Sequence, residues 1–221
     1  TQGYSSAASD VYKRQHMHVA EAKEEKEYTY ARWGEGTVKH LERLGVLDKN
    51  LLAVHTVWLT DEELELFRKR EVKISHNPAS AMRVLGFARV PKMLQMGLMP
   101  SIGTDGASSS NHMDMVDEMW LTSLIHKGWR LDPTVVPSQD ILRMATKWGA
   151  RALLDENLYG SLEAGKIADM AVLSENPYTV PKDKLSGLRV ERLYLSGKSY
   201  ESCRESILPM TLRGLTSRNK A

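Results

Sequence analysis

Residues 16–21 read "HMHVAE", and their interpretation decides which fold the rest of the chain builds. Side chains alternate between the two faces of a strand, so His16 and His18 share a face, and Glu21 follows three residues after the second histidine. Either the two histidines form a complete metal-binding pair, or one is a ligand and its companions come from elsewhere in the chain.

The sequence downstream alternates strands with helices. Residues 16–20 are expected as a strand and residues 21–44 as helix, with a break at Gly34-Glu35-Gly36. Residues 51–54 form a short apolar run ending at His55. Thr60, followed by Asp61, Glu62 and Glu63, then supplies an N-cap and an acidic first turn for a helix through Lys69. Residues 72–75 give the next strand, ending at His76. A helix over residues 90–96 stops at Gly97, and a strand over residues 99–103 leads to Asp105. This alternation argues for parallel βα units. His55, His76 and Asp105 each stand at or just past the end of a strand, and His18 lies within one. In a (β/α) barrel the C-terminal strand ends converge on one face, where active sites are built.

Beyond Asp105 the chain carries less chemistry. Pro137-Ser138-Gln139-Asp140 opens a helix to about Lys147, and "WGARALL" continues it. "GSLEAGKIADMAVL" turns at two glycines into a strand, and "RVERLYLSGKSY" gives another with a Gly-Lys hairpin turn. Residues 203–221 are expected as a helix with a basic tail.

Composition narrows the function classes. The 221 residues suffice for a sizeable core, and 30 basic against 28 acidic residues point to no nucleic-acid partner. The apolar runs are short and interrupted, so no membrane span is expected. A single cysteine, Cys203, rules out an internal disulfide framework and fits a reducing, cytoplasmic setting. The first residues lack a basic segment followed by an apolar run. Residues 1–15 are polar and aperiodic, and "DVYKRQ" resembles the translation of a transposase adapter used in sequencing libraries. They are therefore expected to be an assembly scar.

"HMHVAE", "AVHTVWL", "SHNPAS", "GTDGASSSNHMDMVDEM" and "GSLEAGKIADMAVL" resemble consecutive motifs of the amidohydrolase superfamily. Within it they resemble the aminohydrolase branch of S-adenosylhomocysteine and methylthioadenosine deaminases, guanine deaminases and triazine hydrolases. The resemblance covers roughly residues 16–200 in the family's order. It implies an α/β fold: the C-terminal half of a (β/α)8 TIM barrel, strands 5–8, over residues 16–160. The C-terminal part of a small β-sandwich follows over residues 161–200, then a tail over residues 201–221. The family's first-strand His-x-His follows a proline- and glycine-containing approach and is not trailed by a glutamate at this spacing, whereas "HMHVAE" matches the fifth strand. His18 is then a metal ligand, Glu21 the proton shuttle and His16 a neighbour. The missing first-strand pair implies a longer parent enzyme.

The same resemblance assigns metal binding to His18 and Asp105, catalysis to Glu21, His55 and Asp105, and substrate contacts to Glu21, His76 and Asp105. His55 orients the hydroxide, Asp105 accepts the water's proton, and His76 lies at the substrate edge. Imidazole and carboxylate ligands suit Zn²⁺, and the same set accepts Fe²⁺. Bound zinc lowers the pKa of water from about 16 to about 7, and Glu21 can relay a proton to a leaving amine. This chemistry serves hydrolytic deamination of a purine-like, pterin-like or triazine-like ring. The alternatives are hydrolysis of C–Cl, C–S or amide bonds on the same scaffold, or a truncated domain that is inactive or only binds.

A small heterocycle is the expected partner, and the parent is expected to be a homo-oligomer. His40, His112 and His126 are expected to be structural. Residues 108–111 read as a loop before a capped helix, which in this family lies beside the substrate. Met93, Met96, Met113, Met115 and Met119 are expected to pack in the core. Four βα units leave strand edges open, so the chain by itself is expected to associate and to release no ammonia.

Overall fold

The computed structural model describes residues 14–180 and 187–201. The tail expected over residues 203–221 lies outside them, as do residues 1–13. The chain divides at Ser161–Leu162 into two compact units.

The first unit is built on four parallel strands, β1 (Gln15–Val19), β2 (Leu51–His55), β3 (Lys73–His76) and β4 (Ser101–Ile102). They pair in sequence order, β1-β2-β3-β4. Register is continuous, with His18 opposite Val54 and Val19 opposite His55. The strand expected from residue 16 takes in Gln15, whose N–H donates to the Asn50 carbonyl at 2.9 Å. Arg14 forms a bidentate pair with Asp155 at 2.6 and 2.7 Å. Arg14 and Gln15, the described residues before His16, are therefore tied into the first unit. β4 is shorter than residues 99–103 suggested. Gly103 continues it with a bond to the His76 carbonyl, at a point where a Cβ would stand 2.8 Å from Ser75 Oγ.

Helices connect the strands. Between β1 and β2 run α1 (Lys23–Trp33) and α2 (Thr37–Arg43), parted at Gly34, whose φ of 73° ends α1 in the left-handed region that glycine enters without cost. α3 (Asp61–Lys69) carries a complete capping box, Thr60 Oγ1 accepting from Glu63 N–H and Glu63 accepting from Thr60 N–H. Its Leu64 and Phe67 are fully buried, each contributing about 1.5–3 kcal/mol of apolar burial. α4 (Pro78–Val84), which periodicity did not reveal, starts immediately after β3 with proline at its first turn. α5 (Val90–Gln95) leads into β4.

Past β4, residues 107–111 are not an open loop: α6 (Ala107–Ser110) ends at Asn111. α7 (Met115–Arg130) follows, its N-terminus capped by Asp114. α8 (Ser138–Ala145) and α9 (Lys147–Ala152) are separate helices because Thr146, at φ −129° and ψ −92°, breaks the expected continuity. The core runs from Val19, Leu51 and Ile74 on the sheet to Phe67, Met93 and Met144 on the helices. Met96, Met115 and Met119 pack against it as expected, whereas Met113 is 69% exposed.

Within the second unit β5 (Met170–Leu173), β6 (Val190–Leu195) and β7 (Lys198–Glu201) form an antiparallel sheet in sequence order. The hairpin turn is Ser196-Gly197, not Gly-Lys: both have positive φ, and Lys198 already pairs with Leu195. No helix among the described residues is long and apolar enough to cross a membrane.

Candidate active site

The C-terminal ends of the parallel strands carry the polar groups. His18 projects from β1, Glu21 from the loop behind it, His55 ends β2 and Asp105 follows β4. Glu21 stands between the two histidines, with Oε2 3.4 Å from His18 Nδ1 and Oε1 3.7 Å from His55 Nε2. Asp105 Oδ2 is 3.8 Å from the same His55 nitrogen. The His18 and His55 rings meet edge to face, centroids 4.8 Å apart. His18, Glu21 and His55 offer ligand atoms within 4.8 Å of one another, and Asp105 joins them through His55, so the structure brings together four of the five residues singled out from the sequence.

Backbone strain concentrates at the same rim. Ala20, His55, Thr56 and Asp105 have φ between 49° and 68°, a region costly for side chains with a Cβ. Such strain persists where surrounding structure fixes it, and active sites are a frequent place for it. Here it falls on the residues that aim His55 and Asp105.

The electrostatics suit a cation. Burial pushes the His55 pKa down, leaving a neutral ring, and neither ring nitrogen has a hydrogen-bond partner among the described residues. Burial pulls Asp105 upward, but the Ser80 hydroxyl and the Gly106 N–H outweigh it and hold the carboxyl below its ordinary value. Gly106 N–H donates to Asp105 Oδ1 at 2.6 Å. Two imidazoles and two carboxylates, one imidazole buried without a partner, form a donor set that fits zinc.

His76 departs from its expected place at the substrate edge. It is 2% exposed, and its Nε2 faces His126 Nε2 at 3.4 Å. His126, which makes this contact, lies on α7. His16, exposed on β1 two residues before His18, lies outside the cluster, and His40 stacks on Trp33 at 4.2 Å with Glu35 as its partner.

Behind the site stand one residue that the sequence did not single out, Glu118, and one expected to be structural, His126. Glu118 and His126, both on α7, are 0% exposed. Burial raises the Glu118 pKa to about 7 and lowers that of His126 to about 4. The one signal in the sequence is their spacing with Thr122, four residues apart each time, which places all three on one helical face. A polar stripe of this kind ordinarily reads as a solvent face.

Comparison with known proteins bears on the cluster. The amidohydrolase family model matches residues 4–199, beginning upstream of His16. A 5-methylthioadenosine/S-adenosylhomocysteine deaminase from Syntrophobacter fumaroxidans is 41% identical over 167 residues, 75% of this chain and 38% of its own length. A 5'-deoxyadenosine deaminase from Methanosarcina acetivorans is 41% identical over 168 residues, again 75% and 38%. The chain thus spans about two fifths of these relatives. Among solved structures, an adenosine deaminase from Xanthomonas campestris with bound zinc superposes with a TM-score of 0.80 at 29% identity, over 93% of this chain and 50% of that one.

Proposed function

The chain belongs to the amidohydrolase family, and on that premise we propose that it carries the acid–base residues and part of the metal set of a hydrolytic deaminase acting on an adenine-type nucleoside. The observation that carries the reading is the meeting of His18, Glu21, His55 and Asp105 at one end of a parallel sheet. An adenine-type ring is favoured over a guanine, pterin or triazine because the relatives at 41% identity are named for adenosine derivatives.

In this reading β1 to β4 are strands five to eight of a TIM barrel, and β5 to β7 are part of a small sandwich. Parallel pairing in sequence order and the superposition on half of a longer deaminase support it. The whole protein then includes a further barrel segment that completes the metal set, and the 221-residue chain alone does not turn over.

His18 and Asp105 would hold zinc, the metal in the superposed deaminase, with His55 placed to orient the water. When bound it supplies Lewis acidity, making water acidic enough to serve as a nucleophile near neutral pH. Asp105, kept ionised by its Ser80 and Gly106 donors, takes a proton from that water. Glu21, beside both histidines, delivers a proton to the ring nitrogen; the proton taken by Asp105 passes to the departing amine, and the proton lost as the C–O group becomes a carbonyl restores Glu21. His76 keeps its place at the substrate edge by resemblance alone, its ring being buried and facing His126 of α7.

The test joins this chain to the N-terminal part of a 41%-identical relative and measures ammonia release from 5'-methylthioadenosine, S-adenosylhomocysteine, 5'-deoxyadenosine, guanine and a triazine. Release from the adenosine derivatives by the fusion, and none by the chain alone, is expected. Glu21→Gln in the fusion should cut turnover about 10²–10⁴-fold with zinc content unchanged. A folded, zinc-loaded fusion that releases no ammonia from any of them would sink the proposal.

A further inference from the structure

Glu118 has no role in the chemistry just described, yet it is a carboxylate without solvent exposure, and its surroundings explain why it is there. α4 cannot cap its own first turn. Its N-cap residue, Asn77, accepts from Ser75 Oγ through Oδ1 at 2.9 Å, and Pro78 has no N–H. The Ala79 N–H donates instead to Glu118 Oε2 at 3.1 Å, a cap supplied from 39 residues downstream.

The other oxygen faces a different loop. Asp114 N–H donates to His112 Nδ1 at 3.2 Å, which places the proton of the neutral ring on Nε2. That nitrogen stands 3.5 Å from Glu118 Oε1, a polar contact without a formed hydrogen bond, and Oε1 has no hydrogen-bond partner among the described residues. One carboxylate therefore meets the segment after β3 through Ala79 and the segment after β4 through His112. Arg83 adds a strut between the same segments, donating to the Ser110 carbonyl at 3.5 Å. Ser80, next to Ala79 on α4, is the residue whose hydroxyl meets the Asp105 carboxyl.

We propose that Glu118 is a positioning residue: by joining Ala79 to His112 it holds Ser80 against Asp105, and so sets the Asp105 carboxylate that the proposed deaminase site uses. The importance of Asp105 rests on that functional reading; the clamp itself rests on the contacts above.

The test uses the full chain without metal and follows amide signals by NMR. The Gly106 amide, bonded to Asp105 Oδ1, reports the carboxylate, and Ala79 reports the cap. In Glu118→Leu, Ala79 should exchange with solvent about tenfold faster, and the Gly106 signal should move upfield although Asp105 is untouched. Glu118→Gln, whose one amide oxygen can still accept from Ala79 but whose NH₂ cannot accept from His112, should restore the protection of Ala79 and leave Gly106 displaced. His112→Ala should move Gly106 while Ala79 stays protected, and it decides the matter if Glu118→Leu does not fold. A Gly106 signal at its wild-type position in every folded variant would reduce Glu118 to a local cap and overturn the proposal. Since no measurement here needs zinc or turnover, a failed deamination assay leaves this test standing.

Discussion

α3 and α7 both pack on the first unit, but they bury opposite kinds of residue. α3 buries Leu64 and Phe67 under a complete capping box and turns its charges outward. α7 buries Glu118, Thr122 and His126 and leaves Trp120, Leu124 and Trp129 exposed. Apolar burial stabilises a fold without direction, whereas buried polar groups cost stability unless they are paired. α3 therefore serves the fold. α7 spends stability to hold the ends of β3 and β4, where His76 and Asp105 stand.

That contrast is sharpest in the core under α3. Phe67→Ala should cost about 3–5 kcal/mol in urea denaturation, the usual range for deleting a buried aromatic ring. A loss below 1 kcal/mol would mean that α3 is not the anchor its buried face implies.

For α7 the contrast should appear as pH dependence. His126, lowered to about 4, stays neutral in the fold between pH 4.5 and 6.5, while the unfolded chain takes up its proton. Acidification through this window is therefore destabilising. His76, lowered in the same direction by burial, adds to the effect. Glu118, raised to about 7, keeps its proton in the fold after the unfolded chain has lost it, so its contribution declines as pH rises from about 4.5 to 7. The two slopes oppose. Glu118→Gln should remove one and steepen the loss of stability on acidification by about 1.4 kcal/mol per pH unit. Urea midpoints measured between pH 4.5 and 6.5 check this, and an unchanged slope would show that Glu118 does not titrate as its burial demands.

A smaller effect separates the helix starts. Thr60→Ala should lower stability by about 1 kcal/mol, read as a thermal shift, because it opens the capping box. The same cap cannot be removed from α4 by changing Asn77, whose side chain is already turned to Ser75.

The legible and illegible parts of the chain divide along the same line. The α3 cap, the break at Gly34 and the strand ends at His55 and His76 follow from local rules and were readable. α4 was not, since "NPASAM" has no apolar period and its cap comes from Glu118. The hairpin slipped by one residue because Ser196 adopts positive φ, which the Gly-Lys reading did not anticipate. Of the site, His18, Glu21, His55 and Asp105 were singled out by the resemblance of their motifs, and the structure places them near one another. The burial of His76 and the pairing of Glu118 depend on where α7 lies, and no local pattern encodes that. The stripe of Glu118, Thr122 and His126 carried a signal, but one that by itself says solvent.

"HMHVAE" supplies the most direct test, since His16 and His18 share a strand and a face while only His18 approaches His55. Zinc titrated into the 221-residue chain against a chromophoric chelator measures which histidine belongs to the site. The expected result is one weak site, present in His16→Ala and absent in both His18→Ala and Asp105→Ala. Zinc binding that survives His18→Ala and disappears in His16→Ala would contradict the assignment of His18 and the site built on it.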